Sequence, residues 1–309
     1  MKRIISLVMV LISMLVLAFP AVAETTQSLS PYDIFTLDGH AIYYQSTNDY
    51  IITFIQKDIA NIEVSFAFRS DPDKIYVYNI ATDNTRRINA EILDSYKSAA
   101  FSDAKNAKVF ICKTVQQTKS SEATLKKNAV INKMKQIYGT PYTWRNLYTD
   151  STTYSPLTIR VREDLYYSSS GLGISSLPKG VNITTGAVGL ASAFNIPVSQ
   201  AIQTICNILG VYDISATLSN MLKVEAFRGV ACKYRTGTVT PSNGSETSKV
   251  TASQSYVRTF CFDYDLAGTS SSYASCIVDS GNVEILYAPS EYSFNYITII
   301  EDTYDAYIG

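Results

Sequence analysis

Any Ser-His-Asp or Cys-His machinery in this chain must use His40, the only histidine among 309 residues, because such chemistry needs an imidazole to take the nucleophile's proton. His40 directly follows Asp38-Gly39, a dipeptide that signals a hairpin turn, and a histidine there reads as a surface turn residue. A single histidine also rules out His-rich metal sites and the His-Glu-x-x-His zinc signature. Carboxylate chemistry stays open. Asp263 and Asp265 can in principle serve as acid and base in glycoside cleavage. Strand alternation puts both on one face, with Tyr256, Arg258, Phe260, Phe262 and Tyr264 on the other, and the solvent and core faces of one strand explain that pattern equally. Asp263-Tyr264-Asp265 lacks the remaining ligands of a calcium loop. Gly171-Leu172-Gly173 with Ser176 fails the dinucleotide fingerprint, and no phosphate-binding loop occurs.

Five cysteines, Cys112, Cys206, Cys232, Cys261 and Cys276, match no zinc spacing and leave at least one without an intramolecular disulfide partner. A bridge between Cys232 and Cys261, on neighbouring expected strands, is one reading; buried free thiols are the other. Gly139-Thr140-Pro141-Tyr142-Thr143-Trp144, at the end of a helical run, resembles the Gly-Thr-Pro-Tyr-x-Trp motif of NlpC/P60 cell-wall peptidases. The resemblance spans six residues. It implies a catalytic Cys soon after the motif and a later His, yet residues 145–185 hold no Cys and no His follows. Peptidase chemistry therefore does not carry over, and the segment reads as a turn after a helix.

The elements that would position any site follow an export signal. Lys2 and Arg3, the apolar run Ile4 to Phe19 and the small-x-small end Ala21-Val22-Ala23 read as a signal peptide over residues 1–23, with Glu24 the first mature residue; an uncleaved anchor is the alternative. No lipidated cysteine follows, and Leu177-Pro178-Lys179-Gly180 lacks a sortase ending, so a secreted protein is expected. Charge is near balance, with 26 Lys and Arg against 27 Asp and Glu, so no global field favours nucleic acid or membrane. Tyrosine is abundant at 23 residues, which suits strands and amphipathic surface. Asn182 and Asn243 form glycosylation sequons in the event of a eukaryotic source.

The pattern predicts an α+β chain: antiparallel β-meanders at the N- and C-terminal ends, a central helical segment, and an uncharged helical hairpin. Strands are expected at Ala41–Gln45, Tyr50–Gln56, Ile62–Phe68 and Ile75–Tyr78, and a short helix near Ile88–Ala99. Ser121–Tyr138 is the clearest helix, with Ser120 or Ser121 as cap, a stripe of Val130, Met134, Ile137 and Tyr138, and Gly139 and Pro141 as stops. Residues 180–212 carry no charge. Thr184 is expected to cap a helix over Gly186–Phe194, Asn195 and Pro197 to break it, and a second helix to run from Pro197 to Leu209, with Val198, Ala201, Ile202, Ile205, Ile208 and Leu209 on one face. A third short helix is expected from Asp213 or Ser215 to Leu222. Strands return at Ala226–Thr236, Val250–Tyr264, Tyr273–Val278, Val283–Tyr287 and Phe294–Ile300, with a mobile loop at Gly237–Ser248 and a turn at Asp279–Asn282. A division at 24–170 and 171–309 is expected, or one continuous domain.

Between Lys105 and Arg145 nine Lys or Arg face one acid, whereas eight acids and two bases follow from Lys249 onward. An anionic partner, complementarity between the two halves, and solvated charged faces all fit that asymmetry. No catalytic, cofactor-binding or metal-binding residue is assigned, and no cofactor. The leading expectation is a non-enzymatic interaction protein with an unknown extracellular or cell-surface partner, not nucleic acid, acting through Tyr-rich sheets. Membrane insertion of the hairpin 180–212, after the manner of a pore former or bacteriocin, is the alternative, and a carboxylate hydrolase the third.

Overall fold

The computed structural model describes residues 32–83, 88–115, 121–266, 277–279, 284–287 and 294–309. The export signal, Cys276, the Asp279–Asn282 turn past its first residue, most of the Tyr273–Val278 strand and the capping residue Ser120 lie outside them. Among the described residues the chain is α+β, with two antiparallel sheets and five α-helices.

The first sheet is a meander in sequence order: β1 (Asp33–Leu37), β2 (His40–Ser46), β3 (Tyr50–Gln56), β4 (Asn61–Phe68), β5 (Lys74–Ala81) and β6 (Lys108–Ile111). The Asp38-Gly39 hairpin forms as its chemistry dictates. Both residues are left-handed, at φ 49° and 78°, and Leu37 stands opposite His40, as a two-residue type I′ turn requires. Period-two alternation then sorts the strands. Ile52, Phe54, Ile62, Val64 and Phe66 pack with Leu93 and Ala100 of α1 (Ala90–Ser102), whose first turn is closed by the Asn89 side chain accepting from the Ile92 N–H. Ile51, Ile55, Ala67 and Ile75 point to the opposite face and pack on the uncharged helices.

Those helices are α3 (Ile183–Phe194) and α4 (Val198–Leu209). Asn182, not Thr184, caps α3: its Oδ1 accepts from the Thr185 N–H at 2.8 Å, while the buried Thr184 hydroxyl turns toward the Ile214 carbonyl. Asn195 and Gly210 end the two helices in left-handed conformation, which relieves their last carbonyls. Only Ala193 of the α3 residues escapes full burial. A helix apolar all round belongs in a core, and at 12 residues each the two are about 18 Å long against the roughly 30 Å of a bilayer's hydrocarbon. No helix among the described residues is long and apolar enough to cross a membrane.

Glu63 of β4 and Arg69, in the turn just after that strand, hold α3 by its ends. The buried Glu63 accepts from Asn182 Nδ2 at 2.9 Å and from the Thr185 hydroxyl at 3.3 Å, and it pairs with Lys57 at 2.6 Å. At the other end Arg69 donates to the carbonyls of Ala191 and Ser192, each at 3.3 Å. An anion at the N-terminus and a cation at the C-terminus both match the helix dipole. Glu63→Ala, which strands the Asn182 amide and the Lys57 ammonium, is expected to cost about 2–4 kcal/mol, read as a lower urea midpoint with unchanged slope.

The second sheet joins β7 (Lys113–Val115), β8 (Tyr142–Asp150), β9 (Thr158–Leu177), β10 (Leu222–Thr240), β11 (Thr247–Leu266), β12 (Ile277–Asp279) and β13 (Glu284–Tyr287), with β9, β10 and β11 side by side at its centre. One face carries Phe227, Gly229, Ala231, Phe260 and Leu165 at one end, where Val130 and Met134 of α2 (Ser121–Tyr138) pack, and Ile159, Val161, Val239, Val250 and Ala252 at the other, where Ile299 and Ile300 of α5 (Tyr296–Ile308) pack. The expected α2 stripe divides: Val130 and Met134 are buried, Tyr138 is half-buried, and Ile137 is exposed. Glycine is required at 237, where a Cβ would overlap the Thr303 hydroxyl and crowd the Ile299 side chain; these α5 side chains pack directly on the sheet backbone there.

Several expectations are corrected. Phe294–Ile300 is not a strand: the Asn295 side chain accepts from the Ile297 N–H at 3.0 Å and starts α5, whose β-branched residues misleadingly suggested extension. Asp213 to Leu222 is not a helix, because the Asp213 carboxylate takes the Ser215 N–H and hydroxyl into a local turn and Leu222 opens β10. The Gly237–Ser248 segment is no long loop; it finishes β10, turns at residues 241–246 and starts β11. β8 and β9 were not anticipated, and β9 runs unbroken through positions 170 and 171. Cys232 and Cys261 do not bridge: they face Ser255 and Ala226, six positions apart along β11 and so about 20 Å. Cys112 and Cys232 are buried thiols lying 3.0 Å from the hydroxyls of Ser175 and Ser255.

Candidate binding surface

The segment Gly139 to Trp144 is the entry to an edge strand, not only a turn. Gly139 at φ 95° ends α2, and Tyr142 opens β8 opposite Leu165 of β9. The register then slips, and pairing resumes with Arg145 opposite Glu163, so Thr143 and Trp144 form a bulge. Tyr142 points to the helix-covered face. Its hydroxyl donates to Glu163 Oε1 at 2.5 Å, and Arg235 Nε donates to Glu163 Oε2 at 2.8 Å. Burial first, and then the Glu163 carboxylate, push the Tyr142 hydroxyl up to about 12, so it donates throughout the physiological range.

Burial tends to raise the Glu163 carboxyl, but the Tyr142 and Arg235 hydrogen bonds, together with the charges of Arg235 and Lys233, hold the group below the usual glutamate value. Its unfolded value is near 4.3, so the stabilisation is complete above that pH and fades as pH falls through the lower folded value. Glu163→Gln is expected to flatten the fall of Tm with pH between about 5 and 3, measured by thermal unfolding across that range.

With Tyr142 anchored inward, the bulge turns Trp144 outward. Trp144 has φ 54°, a left-handed conformation that is an outlier for a bulky aromatic and costs about 1–2 kcal/mol. Its N–H donates to Asp164 Oδ1 at 2.5 Å, the Arg162 guanidinium lies 5.1 Å from its ring centroid, and the residue is 55% exposed. The Arg162 guanidinium thus sits over the ring, while more than half of the residue is open to solvent.

Arg160, Arg162, Asp164 and Tyr166 share this outer face of β9 by alternation. Tyr166, 46% exposed, stacks on Tyr234 of β10 at 5.0 Å with rings 12° from parallel; burial, then the Tyr234 hydroxyl, raise its own hydroxyl well above the ordinary tyrosine value. Glu246 accepts from the Thr238 hydroxyl at 2.5 Å and pairs with Arg162 at 3.1 Å and Arg160 at 3.8 Å. The Thr238 bond is the main reason its carboxyl sits low, with Arg162 adding to it against the opposing effect of burial. The helices α2 and α5 pack on the other face, and α3 and α4 reach this one only at the Leu222, Val224 and Ala226 end.

The chain has no match to any family model, any curated protein or any solved structure.

Among the described residues, His40 is not joined by a nucleophile. His40 lies half-buried beside its turn, lining a cavity of about 370 Å³ with Tyr43, Gln56 and Asp58, and among the described residues no serine or cysteine lines it. Its charge helps to depress the Asp213 carboxyl, after the Ser215 hydrogen bonds. Asp263 and Asp265 lie in β11 opposite Val224 and Lys223; their side chains fall outside the described residues. The Asn182 sequon is spent on the α3 cap in a buried site. Sequence reasoning missed Trp144 as a surface residue. Strand alternation could not have found it, because the bulge at Thr143 and Trp144 sends Tyr142 and Trp144 to opposite faces.

Proposed function

We propose that this chain is an exported, non-enzymatic binding protein whose contact surface is the outer side of β8 and β9, centred on Trp144. The observation that carries the reading is the strained, outward-facing conformation of the only tryptophan. A backbone cost of this kind persists where surrounding structure enforces it, and such strain concentrates at functional positions. Tryptophan, tyrosine and arginine also dominate binding hot spots, and Trp144, Arg162 and Tyr166 stand together here. The export signal read from residues 1–23 supports an extracellular or cell-surface partner. Burial of α3 and α4 supports a core role for the uncharged segment over insertion into membrane. The test is retention of purified protein on cell envelopes, compared between wild type and Trp144→Ala. Undiminished retention of the variant would overturn the reading.

A further inference from the structure

Given that reading, the chemistry of the face narrows the partner. We propose that it binds a neutral glycan chain, with a pyranose ring stacked on the free side of Trp144 and hydroxyls bonded by Asp164, Arg162 and Glu246. The weakly positive C–H face of a pyranose fits the negative face of an indole ring. Carboxylates and guanidinium groups offer paired acceptors and paired donors to neighbouring hydroxyls. Asp164 keeps Oδ2 for this purpose, because its bond to the Trp144 N–H uses Oδ1.

Charge argues for a neutral ligand. Arg160 and Arg162 are matched by Glu246 and Asp164 on the same face, with both arginines already paired to Glu246. A polyanion needs a cluster of unpaired cations to displace its counterions; beyond the two arginines held by Glu246, the described residues of this face add the exposed Arg228, opposite Ser170, a single cation and not a cluster. The surround of the site, unlike its aromatic and arginine centre, departs from a protein interface. The cores of protein interfaces are depleted in serine and acidic residues, whereas the surface beside Tyr166 continues as exposed Ser168 and Ser170, with Asp164 before it. A hydroxyl-rich surround suits a ligand that is itself polyhydroxylated.

Trp144 is the sole tryptophan beside 23 tyrosines, so fluorescence excited beyond the tyrosine absorption band reports this site alone. Soluble hexasaccharides of β-1,4-glucan, chitin, mannan and galactan are titrated into the full protein, with heparin as the anionic probe. One neutral series is expected to shift the emission saturably, with affinity unchanged from about 0.05 to 0.5 M salt, and to bind Asp164→Asn or Tyr166→Ala at least ~10-fold more weakly. A response to heparin alone would overturn the proposal. Envelope treatments separate it from the reading beneath it. Periodate oxidation of the envelopes is expected to abolish retention. Retention that survives periodate but is removed by protease overturns the glycan assignment and leaves a Trp144-centred protein contact standing, while retention unaffected by Trp144→Ala overturns both.

Discussion

Trp144→Ala is expected to weaken envelope retention by at least ~10-fold while leaving the fold intact. The two effects separate because Trp144 contributes little to any core. More than half of its surface is exposed, and its only ring contact described is the Arg162 guanidinium. Removing the ring forfeits a cation–π contact of about 0.5–1 kcal/mol at an exposed site, and alanine carries the left-handed strain no better than tryptophan does. The urea midpoint should therefore move only slightly. Trp144→Gly relieves the strain and should raise stability while losing binding equally. A binding loss that tracked the midpoint across these two variants would show the ring to be structural instead.

Ile202→Asp combined with Ile205→Asp is expected to abolish folding. Both isoleucines are fully buried on α4 among Ile51, Leu190 and Leu222. An unpaired buried carboxylate costs several kcal/mol after relaxation, and two of them approach the 5–15 kcal/mol that holds a typical domain together. The expected result is loss of the cooperative urea transition. Gln203→Asp, on the exposed side of the same helix, should stay within about 0.5 kcal/mol of wild type. Equal behaviour of the two proteins would mean that this face of α4 is not core, and dye leakage from liposomes that the double variant abolishes would favour membrane action.

Local chemistry decided what could be read in advance. The Asp38-Gly39 turn, the strand Tyr50–Gln56, the helix Ser121–Tyr138 and the break at Asn195 to Pro197 each carry their own turn, cap or periodicity, and each forms as expected. Elements made by their neighbours were not legible. β9 alternates Arg160, Arg162 and Asp164 with Ile159, Val161 and Glu163, then enters a Ser-Ser-Ser-Gly run that imitates a loop; pairing to β10 along its length keeps it extended. In α5 the tertiary fit of Ile299, Ile300 and Thr303 against Gly237 prevails over strand-like composition. Glu63 gave no hint that it would be buried at the foot of α3. The site was hidden for a related reason. Trp144 acquires its conformation from a register slip against β9, a relation between two strands of which neither was recognised.

Acrylamide quenching of Trp144 fluorescence, with and without cell envelopes, tests the central claim directly and needs no variant. The free protein should quench as a solvent-exposed tryptophan and emit near the wavelength of indole in water, since the ring is 55% exposed. Binding through the proposed face should shield it, lowering the quenching constant severalfold and shifting emission to the blue. A bound protein whose Trp144 stays as open to acrylamide as in free solution would contradict the account.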